Sequence, residues 1–278
     1  MKLVGQVHRV ADVTEKQRDE MFALMELYYE NMDRAVFESD LEEKDWIIQL
    51  VDSLTGEVRG FSTQMLIDLE VQGRTVTALF SGDTIVQHEY WANNPLAQSW
   101  GRFALWLIDS NPGAELYWFL IAKGYKTYRF LPVFFHEFYP RFDAPTPRRA
   151  LELIDGMGRH KFSATYDCRT GIVRAGRFDC RLRPGVAEIT PSRWCDPHVR
   201  FFSERNPGHR HGDELCCIAP LTRDNFRRAA YRAIGSGQLE WGGPAPRWNQ
   251  SFADERAIQC CVEPQHSKLR RPRTVATR

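Results

Sequence analysis

The chain has 278 residues and a net charge of +1, with 43% apolar, 26% charged and 12% aromatic residues. This is too aromatic for a disordered chain, and a near-neutral total speaks against a nucleic-acid binder, which would carry a strongly basic one. No apolar run reaches the roughly 18 residues of a membrane-spanning helix, and Met1 to Gln6 lacks the apolar stretch of a secretory signal. Seven cysteines, with no C-x-x-C among them, read as free thiols in a reducing cytoplasm.

The neutral total hides a cancellation. Residues 14–46 hold eleven acids against four bases, and the last fifteen residues hold five bases and no acid. Seven arginines fall between Arg159 and Arg193. Such runs are solvated surface unless an anionic partner covers them.

Thr14-x-x-Gln17 is a capping-box pattern, and Met21, Met25, Tyr28 and Met32 follow at helical spacing, which predicts a helix from about Glu15 to Asp33. The acidic segment Phe37 to Asp45 reads as a loop or exposed turn. The period then changes to that of strands. Trp46–Val51, Val58–Val71 and Thr75–Phe80, with Asp83–Val86 as an extension, form a meander joined by turns at Thr55-Gly56-Glu57 and Gln72-Gly73-Arg74. Pro95 opens a second helix through Ile108, and Asn111-Pro112-Gly113 stops it. Leu116–Ile121 is a continuous apolar run, as a buried central strand would be. A helical pattern spans Tyr125 to Tyr139 with Pro132 in it, another covers Pro147 to Met157, and strands surround Arg169-Thr170-Gly171. Residues 186–219 show less period, and Arg223 to Ile234 reads as helix. From 243 onward the chain reads as loosely ordered, ending in a basic tail.

The order helix, acidic segment, three-strand meander, helix, buried strand, helix resembles the Gcn5-related N-acetyltransferase (GNAT) superfamily over residues 10–142, and up to 183. That family carries Arg/Gln-x-x-Gly-x-Gly/Ala where this chain has Gln98-Ser99-Trp100-Gly101-Arg102-Phe103, with Phe103 in place of the last small residue. The segment Gln87 to Ala97 is longer and more aromatic than usual. In this it is similar to the N-acyl amino acid and acyl-homoserine-lactone synthases. The resemblance implies an α/β (α+β) fold with a mixed, mainly antiparallel sheet flanked by helices. It divides the chain into a GNAT-like domain 1–183, an α+β elaboration 184–242 and a loosely ordered region 243–278.

What the resemblance implies about chemistry is acyl transfer from acyl-CoA, or from acyl-phosphopantetheine on an acyl carrier protein, to a small amine. A helix N-terminus has unpaired N–H groups and a partial positive charge, so Gln98, Ser99, Trp100, Gly101 and Arg102 would hold the donor's pyrophosphate. The backbone near Val86 would polarise the thioester carbonyl. Asp83, His88 and Glu89 at the strand end are candidate bases, and Tyr139 or Tyr128 a candidate acid for the leaving thiolate. The arginines of 159–193 would suit an acidic carrier protein, and the aromatic surplus an acyl pocket. The alternative is a scaffold that keeps the fold without catalysis. No metal is expected: His209-Arg210-His211-Gly212-Asp213-Glu214 matches no zinc spacing, and Cys195-Asp196-Pro197-His198 pairs nucleophile and base only in sequence. No P-loop, dinucleotide fingerprint or G-x-S-x-G elbow occurs.

Overall fold

In the computed structural model, which describes residues 2–93, 95–177 and 179–243, the expected meander is the centre of the molecule. β1 (Leu3–Arg9) leads to α1 (Glu15–Tyr28), β2 (Tyr29–Glu30) and α2 (Arg34–Glu42). β3 (Trp46–Asp52), β4 (Val58–Val71) and β5 (Arg74–Val86) follow, then α3 (Leu96–Ser110) and β6 (Glu115–Ala122). α4 (Tyr125–Tyr128), α5 (Phe130–Phe134), α6 (Arg148–Phe162), β7 (Tyr166–Asp167), β8 (Ile172–Val173), β9 (Arg181–Leu182), α7 (Pro191–Trp194), α8 (Pro197–Arg205), β10 (Glu214–Pro220) and α9 (Arg228–Ile234) complete the described chain. One sheet runs β1-β3-β4-β5-β6-β10-β8-β7, and β2 pairs with β9 apart from it. Among the strand pairs of the described residues, only β5–β6 is parallel, joined by α3 as a crossover. The fold is therefore the expected mixed, mainly antiparallel sheet flanked by helices.

The first helix starts where its capping box places it: Gln17 N–H donates to the Thr14 hydroxyl at 3.3 Å, and Thr14 N–H to Gln17 Oε1 at 3.0 Å. It ends earlier than expected, at Tyr28, because Tyr29 and Glu30 turn extended to pair with Leu182 and Arg181. The acidic segment is also not a loop. Asp33 accepts from Val36 N–H at 3.1 Å and caps α2, which buries Phe37 and Leu41 and leaves its carboxylates outward. The helical pattern over Tyr125 to Tyr139 breaks into α4 and α5. After Phe134 the chain is extended, and Tyr139 exchanges backbone hydrogen bonds with Ile218.

The stretch 184–242, read from sequence as a C-terminal α+β elaboration, supplies β10, a strand between β6 and β8. Leu215, Cys216, Cys217, Ile218 and Ala219 are all buried there. α1, α2 and α6 cover one face of the sheet. On that face α6 packs Leu153, Ile154 and Met157 on Ile67, Phe80 and Phe119. The other face carries α3, where Phe103 stacks edge-on to Trp46 at 5.3 Å. Beyond α9 the chain crosses α3 to the outer edge of β1. There Val7 N–H donates to Glu240 O at 2.9 Å and Gly242 N–H to Val7 O at 2.8 Å. Residues 244–278, with the basic tail, lie outside the described residues.

Candidate active site

Two strands that stay paired along their whole length leave no room between them. β5 and β6 part. Their parallel register ends at Ser81 opposite Leu120, while β5 runs on to Val86. The cause is an extra residue in β5: Ser62 pairs with Thr84 but Gln64 pairs with Ser81, so Gly82 and Asp83 bulge. A bulge bends its strand and increases its twist. Gly82 fits because a Cβ there would sit 2.7 Å from the Thr63 hydroxyl and 3.0 Å from Lys44 Cε. Past the bulge, Gln87 N–H bonds Arg59 O at 2.8 Å. Antiparallel ladders alternate, so Val86 and Thr84 turn their N–H and C=O groups away from β4, into the opening. The Val86 carbonyl is accordingly free to accept from Trp91 Nε1 at 2.6 Å.

A hydrogen-bond chain lines the opening on the α3 side. Trp118 Nε1 and Trp100 Nε1 both donate to Ser81 Oγ, at 2.9 and 3.2 Å. Ser81 donates to Gln64 Oε1 at 2.8 Å, and Gln64 Nε2 to Ser62 Oγ at 2.8 Å. Ser62 lies 2.8 Å from the Thr84 hydroxyl, which donates to the bulge carbonyl of Gly82 at 3.2 Å. Every donor in this chain has an acceptor, which is what buried polar groups require. Around it lies a cavity of about 60 Å³ walled by Trp100, Trp118, Phe130, Phe134, Phe226 and Ile234.

The last two of those residues come from α9 and the turn before it, which pack on α3 and bear on the Gln98–Arg102 motif. The first helical bond of α3 is Ser99 N–H to Pro95 O at 2.8 Å, so Gly101 lies inside the helix and not at its free N-terminus. A Cβ on Gly101 would come within 2.3 Å of Ile234 Cγ1: the glycine lets α9 lie against α3. Arg102 donates to Ile234 O at 3.1 Å and Gln238 O at 3.0 Å, holding the end of α9. Ser99 is buried against Gly5 of β1. Only Trp100 of the motif faces the opening with a polar atom engaged there, and Gln98 packs beside Gly235. Gly101 and Arg102 are thus occupied by the chain itself, and the pyrophosphate role expected of them does not fit.

On the opposite face, under α1, α2 and α6, is a larger cavity of about 450 Å³. It shares Gly82, Thr84, Ile121 and Thr127 with the first cavity, so these four residues form the wall between the two at the parting of β5 and β6. Asp83 stands at this junction. Burial, together with the charge of Asp40, pushes its carboxyl up to about 6, against the pull of Lys44 and Lys123. Lys123 lies 3.2 Å from Glu214 and donates to Cys180 O at 3.1 Å and Sγ at 3.3 Å. Burial works against the Lys123 charge, but Glu214, Cys180, Tyr29 and Asp83 outweigh it and raise its pKa. Burial likewise pushes the Cys180 thiol and the Tyr29 phenol up.

Of the other expected residues, His88 and Glu89 are exposed on a 3-10 turn after β5 and line neither cavity. His88 stacks on Trp91 at 4.6 Å, and its backbone N–H donates to the Tyr28 hydroxyl at 2.6 Å. Lys126 sits over Trp91 at 3.7 Å. The aromatic part of the 87–97 segment therefore folds back on α1 and the strand end. Tyr139 lies beyond α5, and Tyr128 is buried with its hydroxyl on Pro140 O at 2.9 Å; neither lines a cavity. His209 is spent on Asn206 O at 2.9 Å, and among the described residues no group of three or more His, Cys, Asp or Glu is placed to hold a metal. The residues that sequence reasoning missed are Ser62, Gln64, Ser81, Lys123, Thr127, Cys180 and Glu214. The signal available was polar side chains in the middle of apolar strands, Ser62-Thr63-Gln64 and Ser81, and a lysine directly after the apolar run of β6.

No family model matches the chain, and no curated protein matches it. Among solved structures it is similar to a conserved protein of unknown function from Enterococcus faecalis V583, described as a probable N-acyltransferase. The identity is 13% and the TM-score 0.37, over 49% of this chain and 33% of that one. It is also similar to a GNAT family N-acetyltransferase from Escherichia coli in complex with CoA (17%, TM-score 0.32, 47% of this chain and 68% of that one). A third is an acetyltransferase from Trypanosoma brucei (16%, TM-score 0.35, 51% of this chain and all of that one). The chain spans about a third of the length of the Enterococcus protein.

Proposed function

We propose that the protein is an acyltransferase that moves an acyl group from a thioester, acyl-CoA or acyl-phosphopantetheine on a carrier protein, to an amine. The observation that carries this reading is the parting of β5 and β6 beyond Ser81, where Gly82, Thr84, Ile121 and Thr127 line a cavity on each face of the sheet. A thioester approaching from the α3 side and an amine from the α1–α2–α6 side would meet at this junction. Asp83 takes a proton from the ammonium, and the free amine attacks the thioester carbonyl, forming the C–N bond. The N–H group of Thr84, turned away from β4, faces the oxygen that gains charge. The C–S bond then breaks, and the thiolate leaves with the second amine proton, Thr127 supplying a hydroxyl at the junction. The products are an amide and a thiol.

The test is incubation with labelled acyl-CoA or acyl carrier protein and a pool of amines, with products read by mass spectrometry. Labelled amide in the native chain and none in Asp83→Asn is the expected result. No amide from any thioester would sink the reading.

A second reading, a GNAT-fold binding or scaffold protein, is favoured by one observation: α9 already lies against α3, and its Ala230, Ala233 and Ile234 wall the donor side together with Phe226 just before it. It predicts that thioester, CoA and amine leave the melting temperature unchanged.

A further inference from the structure

The larger cavity has a definite distribution of charge, and resting on the acyltransfer reading it says which amine fits. Its floor is Asp83 at the junction; its mouth carries Asp33 and Asp179, both exposed. Between floor and mouth the walls are apolar, with Met25, Phe37, Phe80, Phe162 and Val173. Three cations also line it, and each is already matched. Lys123 is held by Glu214. Lys161 is held by Glu43 and Asp40. Arg174 is held by Asp213 at 2.8 Å and Asp167 at 3.3 Å. Glu43, Asp213 and Asp167 stand outside the lining, whereas Glu214 and Asp40 belong to it; the lining's five carboxylates, Asp33, Asp40, Asp83, Asp179 and Glu214, outnumber its three cations. Among the described residues, Asp33, Asp83 and Asp179 make no ion pair. Asp33 and Asp179 each accept one backbone N–H, from Val36 and Gly176, which leaves lone pairs on both carboxylates.

We infer that the acceptor is a small aliphatic diamine or polyamine, with its reacting nitrogen at Asp83 and a second ammonium at the mouth between Asp33 and Asp179. The reacting amine must lose its charge to attack, so it gains nothing lasting from a negative mouth. A second, non-reacting ammonium keeps its charge throughout, and the apolar walls cover the stem that joins the two. A volume of about 450 Å³ lies within the range of small-molecule pockets. An amino acid would bring its carboxylate to the acidic mouth, and like charges repel there.

Titration calorimetry on the full chain, without thioester, tests this with putrescine, spermidine, butylamine and glycine at low and at high salt. The expected result is that putrescine and spermidine bind about tenfold or more tighter than butylamine, a ratio worth about 1.4 kcal/mol. Salt should narrow the gap. The Asp33→Asn/Asp179→Asn variant should bring putrescine down toward butylamine at an unchanged melting temperature, since asparagine keeps the caps. Equal affinity for putrescine and butylamine, or a preference for glycine, overturns the inference. Should the double variant lose stability, the ratio in the native chain and its salt dependence still decide. Putrescine binding without any acyl transfer would overturn the acyltransfer reading alone, and transfer to butylamine as efficient as to putrescine would overturn the acceptor alone.

Discussion

Trp118 on β6 donates its indole N–H to Ser81 Oγ on β5 at 2.9 Å, at the last rung where the two strands are still paired. Trp100, reaching down from α3, donates to the same oxygen, with the two rings 4.4 Å apart. One hydroxyl thus closes the paired part of the sheet and anchors the wall of the opening above it. Ser81→Ala removes the acceptor for two indoles and a donor to Gln64. An unsatisfied buried group costs about 1–3 kcal/mol. The variant is expected to unfold at lower denaturant with an unchanged m-value, and loss of Trp fluorescence order at the same midpoint would localise the effect. A midpoint equal to the native one would mean that the chain of bonds carries no stability.

Asp83 makes the rate depend on pH. It must be ionised to accept a proton, so acyl transfer is expected to rise with pH through about 6 and then level off. The stability effect has the opposite sign. The carboxyl is raised from an ordinary 3.8 to about 6 in the folded chain, so its contribution is full below 3.8 and is lost as pH rises to about 6. Asp83→Asn should therefore melt higher than the native chain at pH 7, by about 2–4 °C for each kcal/mol relieved, and no higher at pH 3.5. A variant that melts lower at pH 7 would show that the carboxylate is structurally needed.

Gly101 and Arg102 serve the contact with α9. Gly101→Ala places a methyl group within 2.3 Å of Ile234 Cγ1 and forces α9 to shift, an overpacking that costs about 1–3 kcal/mol. Arg102→Ala frees Ile234 O and Gln238 O. In both variants hydrogen exchange should quicken over 228–243 while β3 to β5 stay protected. Slower exchange there, or a loss of CoA binding with no change in exchange, would return the pair to a phosphate-binding role.

The donor-side cavity is small, about 60 Å³, and Trp100 on α3 is one of its walls. Under the acyltransfer reading, the native chain favours short acyl groups, and Trp100→Ala should raise kcat/KM for an octanoyl donor relative to an acetyl donor. An unchanged ratio would place the acyl group elsewhere.

The meander, α1 and α3 were legible because their information is local. Alternation, the Thr14–Gln17 box and the Pro95 start each act within a few residues. β10 was not legible, since Leu215 to Ala219 is short and wholly apolar and has no alternation to read. The acidic run over α2 hid a helix because its two buried side chains, Phe37 and Leu41, are only one turn apart. For the site, Asp83 could be named from its place at a strand end, but its neighbours could not. Lys123, Cys180 and Glu214 approach it only once β6, β9 and β10 are assembled. The glycine motif misled because a glycine that admits a phosphate and one that admits a neighbouring helix look the same in sequence.

The bridge from Glu240 and Gly242 to Val7 ties the outer edge of the sheet to a segment synthesised long after it. While the chain leaves the ribosome, β1 can pair with β3 early, yet its other edge keeps free N–H and C=O groups until residues 240–242 arrive. An open edge is a template for strands of other molecules. The late segment therefore closes this edge at Val7 only once the chain has been made through residue 242.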